Sequence, residues 1–548
     1  MKFSLLFKAN YFSKFSKAPV ICKLVGRKVL DGVGQPTLEV EIYCINKNYE
    51  KRICSTVISS HSQILENALS EATEDDEKER NDSVNTAVEW VNDSLNTMLR
   101  DLKPTDQCKV DKILGEYFTK KAEEKKEIQK EDEEEATLSL PSCVPSATAL
   151  SGGKKAATIG KKVSGAERTI PPAEPVESVL CGSLAIGGTS LAIAKAGATI
   201  SRIPLYVHIA LLKQDQYSQL QDSPKEMTVP LPMVSLLNCG KFSPGKLKLM
   251  KEIMLIPPVQ LSLKQSIERV LDIQREMMRL LEPACKGPSP QLADRKKGGA
   301  RNTGKKVLPP AIKRISHLGC LITGCDNLEQ PLLLMQTACN NIGLELGTDM
   351  YLAINCAAHE LIDYDRQQWN NICCALGSKC YLIAEDAATS ISKLITDQDT
   401  NLPKCSGIVL KYINQTKVSD LIELTGLSHG QRHITILGSP DGESSDDSLV
   451  DLAVGLGAKF IKLGGLCRGE RVTKYNRLLA IEEELAKNRT LRFEASFEFI
   501  DFAEEPQPEQ LSDEPPPPEQ DSLPPQPSQP VLQVQNLTAQ LAQDSPLT

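Results

Sequence analysis

Five short apolar runs recur at nearly even spacing in the C-terminal half of the chain: Tyr351–Asn355, Cys380–Asp386, Gly407–Lys411, His433–Leu437 and Lys459–Leu463. Segments of helical period fill the last three gaps, at Ala388–Thr396, Val418–Thr425 and Ser448–Leu456. A strand, a helix and two turns occupy about that length, so the pattern predicts consecutive βα units of a parallel sheet or barrel. Polar residues fall at or just past the ends of these strands: Asn355, Glu385 with Asp386, Lys411 and Lys462. One lysine at the rim of an apolar strand is explained by a snorkelling side chain. Two lysines, with a carboxylate pair at matching positions, favour a polar site at the C-terminal end of the strands.

Upstream, Leu30–Val40 reads as a hairpin turn followed by strand-like alternation to Tyr43, with one face wet. Residues 84–114 have helical periodicity, with Trp90, Val91, Leu95 and Leu99 on one face. The charge-dense run after Thr119 and the Ser-, Ala-, Gly- and Lys-rich stretch that follows predict a disordered insert over 119–178. Order resumes in a small-residue helical stretch, Gly182–Ala210. Strands are expected at Val229–Leu237 and Lys251–Ile256, then an amphipathic helix at Ser262–Leu281. A closing helix follows at Tyr475–Lys487. Beyond Phe502 the Pro-, Gln- and Glu-rich tail favours extended, unpacked chain.

Composition narrows the function classes. A chain of 548 residues with 41% apolar and 24% charged residues can build more than one packed domain. A net charge of −8 argues against general nucleic-acid binding, and no apolar run reaches membrane-spanning length. The basic segment 1–19 lacks the apolar core of a secretory signal. The seventeen cysteines show no paired CxxC spacing beside the six histidines, which argues against zinc and fits a reducing, cytoplasmic setting. Gly299–Lys306 nearly spells a phosphate-binding loop. It has Lys306 where Ser or Thr would hold magnesium, and no strand leads into it.

Several blocks in order resemble the enolase family, closest to its divergent, sperm-type branch. They are the hairpin Leu30–Val40, Val91-Asn92-Asp93, Ser190–Gly197 with Pro204–Ala210, and the long run Ile461–Arg471 with Lys474–Glu484. The resemblance implies a small α+β N-terminal domain over 20–222, interrupted by the insert. It also implies an α/β barrel over 227–493 and a disordered tail over 494–548. The family reaction would be the reversible dehydration of 2-phosphoglycerate to phosphoenolpyruvate in glycolysis. Such chemistry needs a base for a proton α to a carboxylate, Mg²⁺ to hold the enediolate, and an acid for the leaving hydroxyl. By motif, Lys411 is the base, with one residue inserted after it before Asn414-Gln415. Lys462 is the substrate-carboxylate lysine and Glu252 the catalytic-face glutamate. The metal ligands fall on Glu385, with Asp386 beside it, and on Asn355, an amide in place of a carboxylate. Ser439 keeps one position of the phosphate loop, which here has Pro440 and Asp441. Leu318 stands at the position of the acid.

Asn355 and Glu385 are only 30 positions apart, where the family has two βα units, so the barrel is expected to lack one unit. The resemblance further implies a homodimer. A non-catalytic reading competes with the enzyme, with the insert and tail attaching the fold to glycolytic enzymes or a cytoskeletal or flagellar structure. A third reading is altered chemistry on another 2-hydroxy acid.

Overall fold

The apolar runs Gly407–Lys411, Ile434–Gly438 and Phe460–Gly464 become strands covered on both faces, whereas Tyr351, Leu352 and Ile354 of Tyr351–Asn355 stay exposed. The computed structural model describes residues 19–46, 49–59, 70–138, 180–216, 226–240, 243, 245–247, 250–281, 314–356, 380–385, 405–430, 433–440 and 442–493. Strands β1 (Val20–Leu30), β2 (Pro36–Asn46) and β3 (Tyr49–Val57) form an antiparallel sheet in that order. Its face is not uniformly wet. Glu41 is buried beneath Arg27 and Arg52, at 3.1 and 2.8 Å.

Helix α1 (Ser70–Trp90) runs into a π-helical turn, Val91–Leu95. Asn92 and Asn96 in this stretch bond the main chain of β1 at Gly26 and Leu24. The β1 edge is thereby covered, and Gly26 permits the approach because a Cβ there would stand 2.9 Å from Val91. The helical period predicted over 84–114 is interrupted. The chain turns at Asp101, whose φ is +65°, and helix α2 (Gln107–Leu138) starts after Pro104. Trp90, Val91, Leu95 and Leu99 nonetheless share the buried face.

The expectation of disorder from residue 119 is corrected over 119–138, which continues α2. The helix is nucleated where Val110, Leu114 and Tyr117 are buried, and elongating an existing helix is cheap. Lys121 pairs with Glu124 at 2.7 Å along its exposed part. Residues 139–178 lie outside the described residues, as do 1–18, the tail beyond 493 and the predicted helix Ala388–Thr396. Helix α3 (Leu184–Ser201) is long and apolar enough to cross a bilayer, but its window is 78% buried inside the fold. Helix α4 (Leu205–Gln216) follows.

The second sheet holds β4 (Leu231–Cys239), β5 (Met250–Ile256), β6 (Arg314–Ile315), β7 (Leu321–Ile322), β8 (Tyr351–Asn355), β9 (Ile383–Glu385), β10 (Gly407–Lys411), β11 (Ile434–Gly438) and β12 (Phe460–Gly464). Around the curl the order is β9, β10, β11, β12, β4, β5, β8, with β5 antiparallel to both neighbours. Among the described residues β8 and β9 do not pair, so the sheet is an open half-barrel. Its seam falls at the position where the sequence spacing is one unit short. Helices α5 (Leu263–Leu280), α6 (Glu329–Asn341), α7 (Val418–Gly430), α8 (Ser448–Leu456) and α9 (Gly469–Asn488) complete the fold.

Strand parity separates two cores. Met233, Met254, Ile256, Val409, Ile436 and Phe460 cluster on the inner face of the curl. Ile408, Leu410, Leu437, Ile461 and Leu463 join the larger outer core against the helices.

Candidate functional site at the open end of the curl

Pairing registers place the two strand-end lysines in one row, while Glu385 falls in the row of Val409. Val409, Ile436, Phe460 and Leu231 form a row across β10, β11, β12 and β4. Two residues on, the next row is Lys411, Gly438, Lys462 and Met233. Both lysines therefore share the parity of the inner cluster, at the C-terminal ends of parallel strands. Gly438 stands between them because a Cβ there would meet Val409 at 2.6 Å.

Glu252 reaches the same layer by a different route. Its strand is antiparallel, so the beginning of β5 lies beside the end of β8, and Glu252 is the register partner of Asn355. Three groups converge on this carboxylate, whose side chain is 2% exposed. Lys462 Nζ is 2.6 Å from Oε1, Asn355 Nδ2 donates to Oε1 at 2.9 Å, and Ser235 Oγ donates to Oε2 at 2.5 Å. A buried carboxylate needs this degree of satisfaction. Ser235 was not singled out from the sequence. The only trace is a single hydroxyl in a strand that also carries Asn238, too weak to mark a site.

The hairpin β6–β7 covers part of this end. β7 pairs with Leu237 and Asn238 of β4, beyond the stretch that pairs with β12. Leu318, at the tip, is buried, and its carbonyl accepts from Gly465 N at 2.7 Å. Cys320 lies close enough to feel Glu252. Burial pushes its thiol up to about 12, and the Glu252 charge adds to this.

Beneath the loop after β11, Arg471 is buried and donates to Ser439 Oγ at 2.9 Å, Leu463 O at 3.1 Å and His317 O at 3.1 Å. Ser439 N in turn donates to Lys462 O at 2.8 Å. Arg471 is a second residue that sequence reasoning missed as part of this layer, having been read only as part of a motif. The residue inserted after Lys411 is absorbed by Asn414, which takes a φ of +48° and accepts from Gly187 N of α3 at 2.9 Å.

Of the predicted site residues, Glu252, Lys462 and Asn355 touch one another, and Lys411 shares the lysine row. Ser439 is joined to the group through Lys462 and Arg471. Glu385 pairs through its backbone with Val409 of β10, while its side chain, Asp386 and Asp441 lie outside the described residues. Two concavities of about 750 and 630 Å³ lie elsewhere, along α2, and their mixed Lys and Glu linings bring together no comparable group.

The described residues do not fit a Mg²⁺ site. Both oxygens of Glu252 are engaged, Asn355 turns its amide nitrogen to that carboxylate, and no cluster of three or more His, Cys, Asp or Glu could hold a metal among the described residues.

Comparison with known proteins agrees with this architecture. The family description "Enolase, N-terminal domain" matches residues 21–128, and "Enolase, C-terminal TIM barrel domain" matches 326–498. Enolase 4 of Homo sapiens is 45% identical over 546 residues, covering 91% of this chain and 86% of that protein. The chain belongs to the enolase family. Enolase 4 of Mus musculus is 44% identical over 91% of this chain and 87% of its own, and that of Danio rerio 34% over 87% and 85%. As an enolase-like protein, it carries the N-terminal and barrel parts of the family.

Proposed function

We propose that this enolase-like chain binds the family's substrate class, 2-phosphoglycerate and phosphoenolpyruvate, and interconverts them slowly, with Lys411 as the base. The observation that carries the reading is the row Lys411–Gly438–Lys462 at the open end of the strands. A carboxylate held by Lys462 would present its α-carbon along that row towards Lys411. Slow turnover follows from the neighbours. Leu318 offers no proton to a leaving hydroxyl, and Pro440 offers no cation to a phosphate. The loss of one well-placed stabiliser lowers a rate by roughly 10²–10³. Mg²⁺ is the family's cofactor, and no step here is routed through it.

A coupled assay for phosphoenolpyruvate, run with Mg²⁺ present, tests this. The expected rate is at least about 10²-fold below that of a complete enolase site, and it should vanish in Lys411→Ala. A rate equal to that of a complete site, or one indifferent to Lys411→Ala, defeats the assignment.

The closed contacts around Glu252 favour a second reading, an enolase fold used for assembly and not for turnover. In that case the chain is a cytoplasmic partner of glycolytic enzymes or of a cytoskeletal or flagellar structure. Calorimetric titration with 2-phosphoglycerate separates the two, since the assembly reading expects no heat of binding. A homodimer is part of both readings, and sedimentation of the purified chain tests it.

A further inference from the structure

Beyond the lysine row, the far end of β4 carries a pair of thiols in near contact. Cys239 Sγ donates to Cys325 Sγ at 3.8 Å. The hydroxyl of Thr323 lies 3.3 Å from the first sulfur and 3.6 Å from the second. Main-chain bonds hold the approach from both sides. Leu237 and Asn238 pair with Leu321 and Ile322, Thr323 N donates to Asn238 O, and Leu247 N donates to Cys325 O at 2.8 Å. Disulfide geometry asks for a sulfur separation of about 2.05 Å and Cβ atoms roughly 3.5–4.5 Å apart. From 3.8 Å the two sulfurs must close by about 1.7 Å to bond.

Buried cysteine is ordinarily a small apolar residue. This pair differs in its polar partner and in its asymmetry. The hydrogen bond from Cys239 lowers the Cys325 thiol, against the effect of burial. The same bond, followed by burial, pushes Cys239 up. Cys239 is fully enclosed, whereas Cys325 keeps a 5% opening next to exposed Asp326. Cys325 is therefore the sulfur an oxidant can reach, and the Cys239 thiol stands beside it to complete the pair.

We propose that Cys239 and Cys325 form a reversible dithiol–disulfide site oxidised by small hydroperoxides. The Cys325 thiolate attacks one peroxide oxygen, the O–O bond breaks, and the leaving oxygen takes a proton to become water or an alcohol. Cys325 is then a sulfenic acid. Cys239 next bonds to the Cys325 sulfur, its proton leaving with the displaced hydroxide as water. Two thiols lose two electrons and the peroxide gains them. An external dithiol reverses the change. The new bond would join β4, whose Ser235 holds Glu252, to the chain leaving the hairpin that carries Leu318. Oxidation thus fixes that hairpin over the open end of the curl.

The test uses the full chain, reduced with dithiothreitol, cleared of reductant and exposed to equimolar hydrogen peroxide. Remaining thiols are alkylated before non-reducing peptide mapping by mass spectrometry. A Cys239–Cys325 linked peptide is expected that disappears on reduction. It should be absent from Cys239→Ser and Cys325→Ser and kept in Cys320→Ser. The proposal fails if both cysteines are recovered alkylated while exposed Cys108, Cys356 and Cys380 are oxidised. It fails equally if Cys325 is linked to Cys320, or stops at sulfinic acid with Cys239 alkylated. The map of the unaltered chain decides the matter even where a variant does not fold.

Discussion

Lys462 and Glu252 each remove the other's burial cost, and neither has much water to fall back on. Replacing one partner strands the other's charge, at about 3–5 kcal/mol, whereas replacing both by neutral groups of similar shape is far milder. Denaturant unfolding should therefore show a large loss for Lys462→Met and a recovery of most of it in Glu252→Gln/Lys462→Met. Equal losses in the two variants would mean that the pair is not the unit. His208 provides a second residue-scale expectation. Burial holds its imidazole down at about 4, below the ordinary 6.5, and its Nε2 has no partner among the described residues. The unfolded chain thus takes up the proton first. Stability is full above about pH 6.5 and falls by roughly 3 kcal/mol as the pH drops to 4. His208→Gln should flatten unfolding free energies over that window, and a slope unchanged by the substitution would assign the effect elsewhere. At this scale the sequence exposed the lysines, because charge is conspicuous in an apolar strand. Ser235 is not conspicuous, since a single hydroxyl costs little and shows its role only when Glu252 arrives from another strand.

Elements were legible in proportion to how locally they are specified. The runs ending at Asn355, Lys411 and Leu463 lie on strands within a residue or so of the expected bounds, because continuous apolar sequence between turns leaves few alternatives. Strand direction was not legible. Period-two patterning is identical for parallel and antiparallel pairing, so the reversal of β5, which brings Glu252 to the open end, had no signature. The two-residue strands β6 and β7 are fixed by pairing with each other and with β4, and are too short to show a period. Local signals do fix α5. Ser262 and Gln265 form a reciprocal capping box at its start. Ser262→Ala should cost about 1 kcal/mol in thermal or denaturant unfolding. A variant as stable as the parent would show the cap to be redundant with the Glu482 carboxylate that accepts from Leu263 N at 2.9 Å.

Over the whole molecule, an acidic loop adds to the contacts that Asn414 makes with Gly187 and Arg468 with Gly32 in joining the N-terminal part to the curled sheet. Asp446 accepts from Thr56 Oγ1 at 2.7 Å, Val57 N at 3.1 Å and Lys195 Nζ at 2.9 Å, and Glu443 takes Ser59 Oγ at 2.6 Å and Lys474 Nζ at 3.2 Å. Burial alone would raise the Asp446 carboxyl, but the Lys195 ammonium and the hydrogen bonds from Ser448 and Thr56 outweigh it and hold it near about 2. Because the folded value is the lower one, this contribution is present above about pH 4 and is lost as the pH falls through 2. Asp446→Ala should split one calorimetric unfolding transition into two, and a single transition would show that the remaining contacts, Glu443 with Ser59 and Arg468 with Gly32 among them, suffice to couple the sheets. Nothing local in the sequence pairs Asp446 with Thr56, nearly four hundred positions away.

The seam between β8 and β9 has a consequence for how the chain can be divided. No main-chain ladder bridges it among the described residues, whereas β12 is laced to β4 through Phe460 and Leu231. Two polypeptides cut between Cys356 and Ile383 would keep every described strand intact and still meet along β4 and β12. Co-expressed, such halves should reassemble without a covalent connection.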